Sequence, residues 1–149
     1  MFVTVWMGIL EISSGKLTWA DAGHEKLMLW QEGTWKCLPK KSGIALGALE
    51  PELLGTGPES PFRNHELILR PGDVLFQYTD GVTEAMTAER EQFGMDRLQE
   101  ALTASPDTEP ETLLSHMRES IDRFVCGAPQ FDDITMLSLR YRGLCGRQL

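Results

Sequence analysis

The sequence predicts an α+β fold, because strand candidates fill the first half of the chain and helical patterns come only afterwards. Six short segments with strand character precede any helix, and two amphipathic helices and one apolar strand follow. Strands grouped ahead of helices are typical of an antiparallel sheet whose exposed face is covered by helices. At 149 residues the chain is long enough to form one such domain.

The composition excludes several classes of protein. Hydrophobic residues make up 42% and charged residues 24%, which are ordinary values for a globular chain. With 14 Lys+Arg against 22 Asp+Glu the net charge is -8, and no basic patch is visible, so we expect no nucleic-acid partner and no membrane partner. The longest apolar run, residues 1–10, is too short to span a bilayer and lacks the features of a signal peptide.

The three cysteines, Cys37, Cys126 and Cys145, are widely spaced and form no Cys-x-x-Cys motif. This pattern favours buried or incidental thiols in a reducing compartment over a disulfide or a zinc site. We therefore expect a cytoplasmic protein.

The strands are predicted from apolar runs bounded by turn residues. Residues 2–12 are apolar on both alternating faces, so this strand is expected to be covered on both sides. Further strands are predicted at 16–22, 26–31 and 34–38, the last two forming a hairpin. The Gly/Pro-rich segment 43–61 is either a flap over a site or a plain surface connection.

The most informative stretch is 67–84. Two apolar runs are hinged by Pro71-Gly72, and the second, Val74–Tyr78, is rich in β-branched and aromatic residues and leads into Asp80-Gly81. The Asp80 carboxylate therefore lies at the end of this strand. Gly81, the next residue, has unrestricted φ. An Asp-Gly pair taken alone is more often a simple turn than a chemical site.

Helical spacing appears from Met95 to Leu102 and again after Pro110, where Thr108 and Glu111 suit a capping box. Gly127 is placed to end the longer helix. A final strand is predicted at 134–141, apolar on both faces, followed by a frayed tail at 143–149.

A second acidic pair, Asp132-Asp133, lies at the start of the last strand. Neighbouring antiparallel strands place the end of one strand beside the start of the other. Asp80 and Asp132 are therefore candidates to share a hard cation, Mg²⁺ or Mn²⁺, because all their donors are oxygen. Adjacent strand residues point to opposite faces, so only one member of the pair should lead the ligation. The alternative is that Asp132 or Asp133 only caps a turn. His24 and His116 are expected to be structural and exposed, respectively.

Several segments occur in the order of a known family. They are Phe2-Val3-Thr4, Asp21-Ala22-Gly23-His24, Leu46-Gly47, Leu69-Arg70-Pro71-Gly72-Asp73, Tyr78-Thr79-Asp80-Gly81-Val82-Thr83-Glu84-Ala85, Phe93-Gly94 and Gln130-Phe131-Asp132-Asp133-Ile134-Thr135. Through these segments the chain resembles the C-terminal two thirds of the metal-dependent (PPM-type) protein serine phosphatase domain, in the bacterial branch typified by stage II sporulation protein E.

The resemblance implies an α-β-β-α sandwich with a two-ion Mn²⁺/Mg²⁺ cluster and hydrolysis of phosphoserine or phosphothreonine. It assigns Asp80 and Asp132 as catalytic metal ligands, with Gly81 and Asp133 as supporting residues. The usual substrate in this branch is a small phosphorylated anti-sigma-factor antagonist, so the implied partner is a phosphoprotein.

The sequence departs from the family at its start, where an Asp-x-x-Gly-His-Gly segment is missing; Asp21-Ala22-Gly23-His24 matches a later strand instead. We therefore expect residues 1–142 to be a partial phosphatase domain that lacks its N-terminal portion, and 143–149 to be a tail. The isolated chain should be weakly active or inactive, and its uncovered first strand should drive homo-oligomer formation.

Two alternative interpretations remain, each assigning the chain to a different class of protein. Residues 69–73 also suit a small cupin-type barrel, although the His-x-His pair of such barrels is absent. The other is a non-catalytic partner-binding module with a phosphatase-like fold.

Overall fold

The computed structural model describes residues 1–38, 43–50 and 60–144, which divide into two compact units. In described residues, unit one contains 1–26, 43–50, 60–71 and 141–144, and unit two contains 27–38 and 72–140. Each unit contains one antiparallel sheet. The predicted α+β class is confirmed, and among the described residues six strands precede the first helix.

The sheet of unit one has three strands in the order β1-β2-β5. These are β1 (Val5–Glu11), β2 (Lys16–Ala22) and β5 (His65–Ile68). The β1–β2 register places Val5 opposite Ala22 and Glu11 opposite Lys16, a hairpin closed by the turn that the Ser-Ser-Gly sequence predicts.

The expectation that the first strand is covered on both faces is wrong for the described residues. β1 is an edge strand, and Met7 and Ile9, which alternate onto the same face, are 61% and 69% exposed. The neighbours Trp6 and Leu10 on the other face are half-buried. A run that is apolar on both faces therefore has one face in contact with solvent here.

The sheet of unit two has four strands in the order β4-β3-β6-β7. They are β3 (Met28–Gln31), β4 (Thr34–Cys37), β6 (Val74–Tyr78) and β7 (Met136–Arg140). β6 lies between β3 and β7 and is buried at every position. β7 is an edge strand in which Leu137 and Leu139 are exposed, so one of the two apolar faces predicted for this strand is in contact with solvent.

Three helices belong to unit two: α1 (Asp80–Thr83), α2 (Gly94–Ala104) and α3 (Pro110–Val125). α3 buries one residue per turn against the sheet core, at Leu113, Met117 and Ile121, as its apolar stripe predicts. The Trp35 indole N–H donates a hydrogen bond to the Leu102 carbonyl at 2.9 Å and so fastens β4 to α2.

The start of α3 differs from the prediction, whereas its end agrees with it. No capping box forms: the N-cap is Glu109, whose backbone N–H is held by the Asp107 carboxylate at 2.8 Å instead. The helix ends at Val125, Cys126 caps it in the left-handed conformation with φ 51°, and Gly127 follows with φ 82°. Gly127 therefore stands where a helix-ending glycine is expected.

Some sequence predictions fall outside the described residues, namely part of the 43–61 loop, most of the tail and Cys145. Cys37 and Cys126 are free and exposed, so the prediction of buried thiols is wrong for these two, and they fit the incidental class. None of the helices within 1–38, 43–50 and 60–144 is long and apolar enough to cross a membrane.

Candidate active site

The candidate site lies at the end of β6, within unit two. Tyr78 is the last strand residue, Thr79 continues in an extended conformation with φ -91° and ψ 160°, and Asp80 is the first residue of α1. Asp80 is exposed, whereas Gly81 and Val82 behind it are buried. The strand therefore delivers a carboxylate to the surface at the point where the chain turns into a helix.

Thr79 connects this point to the segment that precedes β7. Its backbone N–H donates to the Thr135 carbonyl at 3.0 Å, and its hydroxyl donates to the Asp133 carbonyl at 2.9 Å. The Thr135 N–H in turn donates to the Thr79 hydroxyl at 3.0 Å. These three hydrogen bonds continue the β6–β7 pairing beyond the last ladder pair and fix the Asp132-Asp133 segment beside Asp80.

Gly81 brings the two segments into direct contact. A Cβ atom added at Gly81 would lie 2.4 Å from the Asp133 carbonyl oxygen and 3.4 Å from the Asp132 carbonyl carbon. The sequence suggested that Gly81 supplies unrestricted φ, and this reason is wrong: Gly81 lies in α1 and is not among the positive-φ glycines. Glycine is required here because the neighbouring backbone leaves no room for a side chain.

The two candidate ligands, Asp80 and Asp132, are both exposed, and within the described residues neither is ion-paired. The Asp132 carboxylate accepts the Asp133 backbone N–H at 2.7 Å, and its carbonyl accepts the Gln130 side-chain amide at 2.8 Å. The Asp80 carboxylate likewise accepts the Gly81 backbone N–H at 3.1 Å, so each of these exposed carboxylates is held by the backbone N–H of the next residue.

This donor set fits a hard divalent cation. Two unpaired carboxylates on adjoining segments offer only oxygen atoms, the donors that Mg²⁺ and Mn²⁺ prefer. Across 1–38, 43–50 and 60–144, no group of three or more His, Cys, Asp or Glu side chains is close enough to hold a metal ion. Asp80 and Asp132 are thus the candidate ligands on this pair of segments.

The other acidic and histidine candidates lie elsewhere. Asp21 belongs to unit one, is buried, and accepts the Gly23 N–H at 3.0 Å. His24 hydrogen-bonds the Thr4 hydroxyl at 3.2 Å, as expected of a structural histidine. His116 is half-buried rather than exposed, and its Nε2 is buried without a hydrogen-bond partner in the described residues, which corrects the sequence prediction.

Sequence reasoning missed the roles of Thr79 and Gln130. Thr79 stands between an apolar strand and an acidic residue, where a hydroxyl commonly caps or bridges backbone. Only the three-dimensional arrangement shows that its partners come from 54 and 56 residues further along the chain.

The family model for stage II sporulation protein E (SpoIIE) matches residues 1–142. The chain belongs to the SpoIIE family. Membership confirms the predicted resemblance.

Among curated relatives, Protein IcfG of Synechocystis sp. is 36% identical over 139 residues, which are 93% of this chain and 20% of that protein. Among solved structures, the SpoIIE phosphatase domain of Bacillus subtilis, in a crystal form without domain swapping, matches with a TM-score of 0.71 at 14% identity, over 98% of this chain and 59% of that one. The SiaA-PP2C domain of Pseudomonas aeruginosa matches with a TM-score of 0.65 at 25% identity, over 85% and 46%.

These likenesses confirm a fold of two antiparallel sheets with helices, as in PP2C-like phosphatase domains. PP2C-like phosphatase structures are generally metal-dependent. The chain spans a fifth of the curated relative and roughly half of the solved chains.

Proposed function

We propose that this SpoIIE-family chain contributes metal ligands to an Mn²⁺- or Mg²⁺-dependent phosphatase that removes phosphate from serine or threonine of a regulatory protein, of the anti-sigma-factor antagonist type. The observation that carries the proposal is the contact of Gly81 with the Asp132-Asp133 backbone. This contact sets the Asp80 segment against the Asp132 segment. Family membership supplies the reaction class.

Each residue of the candidate site has a separate role in this proposal. Asp80 and Asp132 hold the cation through carboxylate oxygens, Gly81 permits the close approach, and Thr79 fixes the distance between the segments. When bound, a divalent cation supplies the Lewis acidity and positive charge that phosphate hydrolysis requires. With a net charge of -8, the protein would otherwise repel a phosphate group. Asp133 supports the site through its carbonyl, which accepts the Thr79 hydroxyl.

Residues 1–142 are proposed to form a partial phosphatase domain, with 143–149 as a tail. Because no group of three or more His, Cys, Asp or Glu side chains within residues 1–38, 43–50 and 60–144 is close enough to hold a metal ion, the chain by itself should bind Mn²⁺ weakly and hydrolyse phosphate esters slowly. Turnover by this polypeptide alone at the rate of an intact family member would contradict this expectation.

The experiment measures Mn²⁺ binding by calorimetry and phosphate release from a phosphoserine-bearing anti-sigma-factor antagonist. Asp80→Asn and Asp132→Asn should each weaken Mn²⁺ binding, while Asp96→Asn, at an exposed position of α2, should leave it unchanged. Loss of Mn²⁺ affinity in the two site variants supports a metal centre. Equal affinity in all three variants, with no phosphate released, would favour the partner-binding module instead.

A second copy of the chain is the proposed partner for unit one. β1 is an edge strand with Met7 and Ile9 exposed, and such an edge recruits another strand.

A cytoplasmic location is also proposed, resting on the free thiols of Cys37 and Cys126.

A further inference from the structure

A partly enclosed cavity of about 90 Å³ lies immediately beside Asp132. Its walls come from the buried side of α1, from α3 and from the loop that joins α3 to β7, all within unit two. The lining combines apolar side chains, including Ala85, Ile121, Ala128 and Ile134, with the polar side chains Arg118, Asp122, Gln130 and Asp132. Asp132 belongs to this lining and to the candidate metal centre at once.

The polar groups around the cavity already have partners inside the protein. Arg118 and Asp122, one turn apart on α3, form an ion pair at 3.0 Å. The Gln130 amide donates to the Asp132 carbonyl, and the Asp132 carboxylate accepts the Asp133 N–H. An occupant therefore need not supply hydrogen bonds, and an apolar group can enter without leaving these polar groups unsatisfied.

The size of the cavity fits one aliphatic side chain. An engineered cavity of about 150 Å³ lined by aliphatic and aromatic side chains takes up benzene, so 90 Å³ is suited to a smaller group of three or four carbons. Phe131 also lines the cavity and is nevertheless 72% exposed. Its ring thus adjoins both the cavity and solvent, and an entering side chain would cover part of that apolar surface.

We propose that this cavity is a specificity subsite for an apolar side chain of the phosphoprotein substrate, near the phosphorylated residue. The inference rests on the proposed function, because it takes Asp132 as a ligand at the reaction centre. An extended peptide advances about 3.3 Å per residue, so a cavity adjoining Asp132 receives a residue within roughly three positions of the phosphoserine. Valine and leucine are the side chains of suitable size.

The test uses fluorescein-labelled phosphoserine peptides that carry Leu or Asp at the flanking positions, with binding to the full chain measured by anisotropy in Mn²⁺. The wild-type chain should bind at least one Leu peptide about tenfold more tightly than its Asp counterpart, as expected for one side chain in an apolar pocket. Ala128→Leu fills the cavity and should abolish this preference without weakening binding of the Asp peptide. Ala104→Leu, at the exposed end of α2, is the matched control and should retain the preference.

Phe131→Ala provides a second variant at an exposed position, in case Ala128→Leu does not fold. It should reduce the Leu preference several-fold. Methyl NMR of Ala128 and Ile134 reports on the cavity directly, and both signals should shift with the Leu peptide only. Equal binding of Leu and Asp peptides, or methyl signals that move with neither, would overturn the subsite, and so would a preference that survives in both variants.

Mn²⁺ binding by the Asp80→Asn and Asp132→Asn variants is measured separately, so that the two proposals fail in different ways. A Leu preference with shifted methyl signals, but equal Mn²⁺ affinity in the wild-type chain and both Asn variants, supports the subsite and counts against the proposed metal centre. Loss of Mn²⁺ affinity in those variants without any Leu preference supports the metal centre and overturns the subsite.

Discussion

Gly81→Ala is the most informative single substitution, because one methyl group tests how the site is assembled. The new Cβ would lie 2.4 Å from the Asp133 carbonyl oxygen, whereas ordinary contacts begin at 3.4 Å. The Asp132-Asp133 backbone must therefore move by roughly 1 Å, or α1 must move by the same amount. Neither is a flexible side-chain end, so the contact cannot be relieved by a rotamer change.

Overpacking of this kind costs about 1–3 kcal/mol, which lowers the melting temperature of a chain of this size by roughly 3–9 °C. The helix-propensity gain of alanine over glycine, at most about 1 kcal/mol, opposes this and is reduced at the start of a short helix. Metal ligands tolerate displacements of about 0.2 Å, so a shift of roughly 1 Å should weaken Mn²⁺ binding about tenfold or more.

The assays are Mn²⁺ titration by calorimetry and thermal unfolding by circular dichroism. Gly33→Ala is the control: Gly33 has φ +78° and open space around it, so alanine there costs about 1–2 kcal/mol through backbone strain alone. This variant should lose stability but keep its Mn²⁺ affinity. If Gly81→Ala binds Mn²⁺ as tightly as the wild-type chain, the contact does not position the ligands and the reasoning is refuted.

Further predictions concern the ligands, the core and the edge strand. Asp80→Asn and Asp132→Asn should each lower Mn²⁺ affinity at least about tenfold in calorimetry, as loss of a charged ligand implies, and Asp96→Asn should not; equal effects in all three would point to general electrostatics. Met117→Ala, at a fully buried position, should cost about 2–5 kcal/mol in urea unfolding, and a loss below 1 kcal/mol would mean that α3 is loosely packed. Ile9→Lys should shift sedimentation toward the monomer, whereas a wild-type chain that is already monomeric at high concentration would contradict the proposed self-association.

Much of unit two could be predicted from local sequence. The observed bounds of β6 can be predicted, because β-branched and aromatic residues run between Pro71-Gly72 and Asp80-Gly81. The buried stripe of α3 was evident from its spacing. α1 was not predicted, since four residues are too few to display a helical period, and the cap of α3 depends on Asp107, just outside the predicted motif.

Edge positions were harder to predict, because apolarity on both faces does not reveal a strand's neighbours. β1 and β7 both read as central strands and are edge strands. The proximity of Asp80 and Asp132 could be inferred because the end of one antiparallel strand lies beside the start of its neighbour. The family resemblance indicated the same pair. The close approach at Gly81 and the bridging by Thr79 could not be foreseen, because both depend on backbone more than 50 residues away. The ligand roles themselves remain predictions.

The most direct test of the account is paramagnetic broadening of backbone amide NMR signals on titration with Mn²⁺. A cation held jointly by Asp80 and Asp132 should broaden the amides of both segments, including Gly81 and Asp133, at the same low Mn²⁺ concentration. Broadening of one segment without the other, or uniform weak broadening over all acidic surfaces, would contradict a shared site.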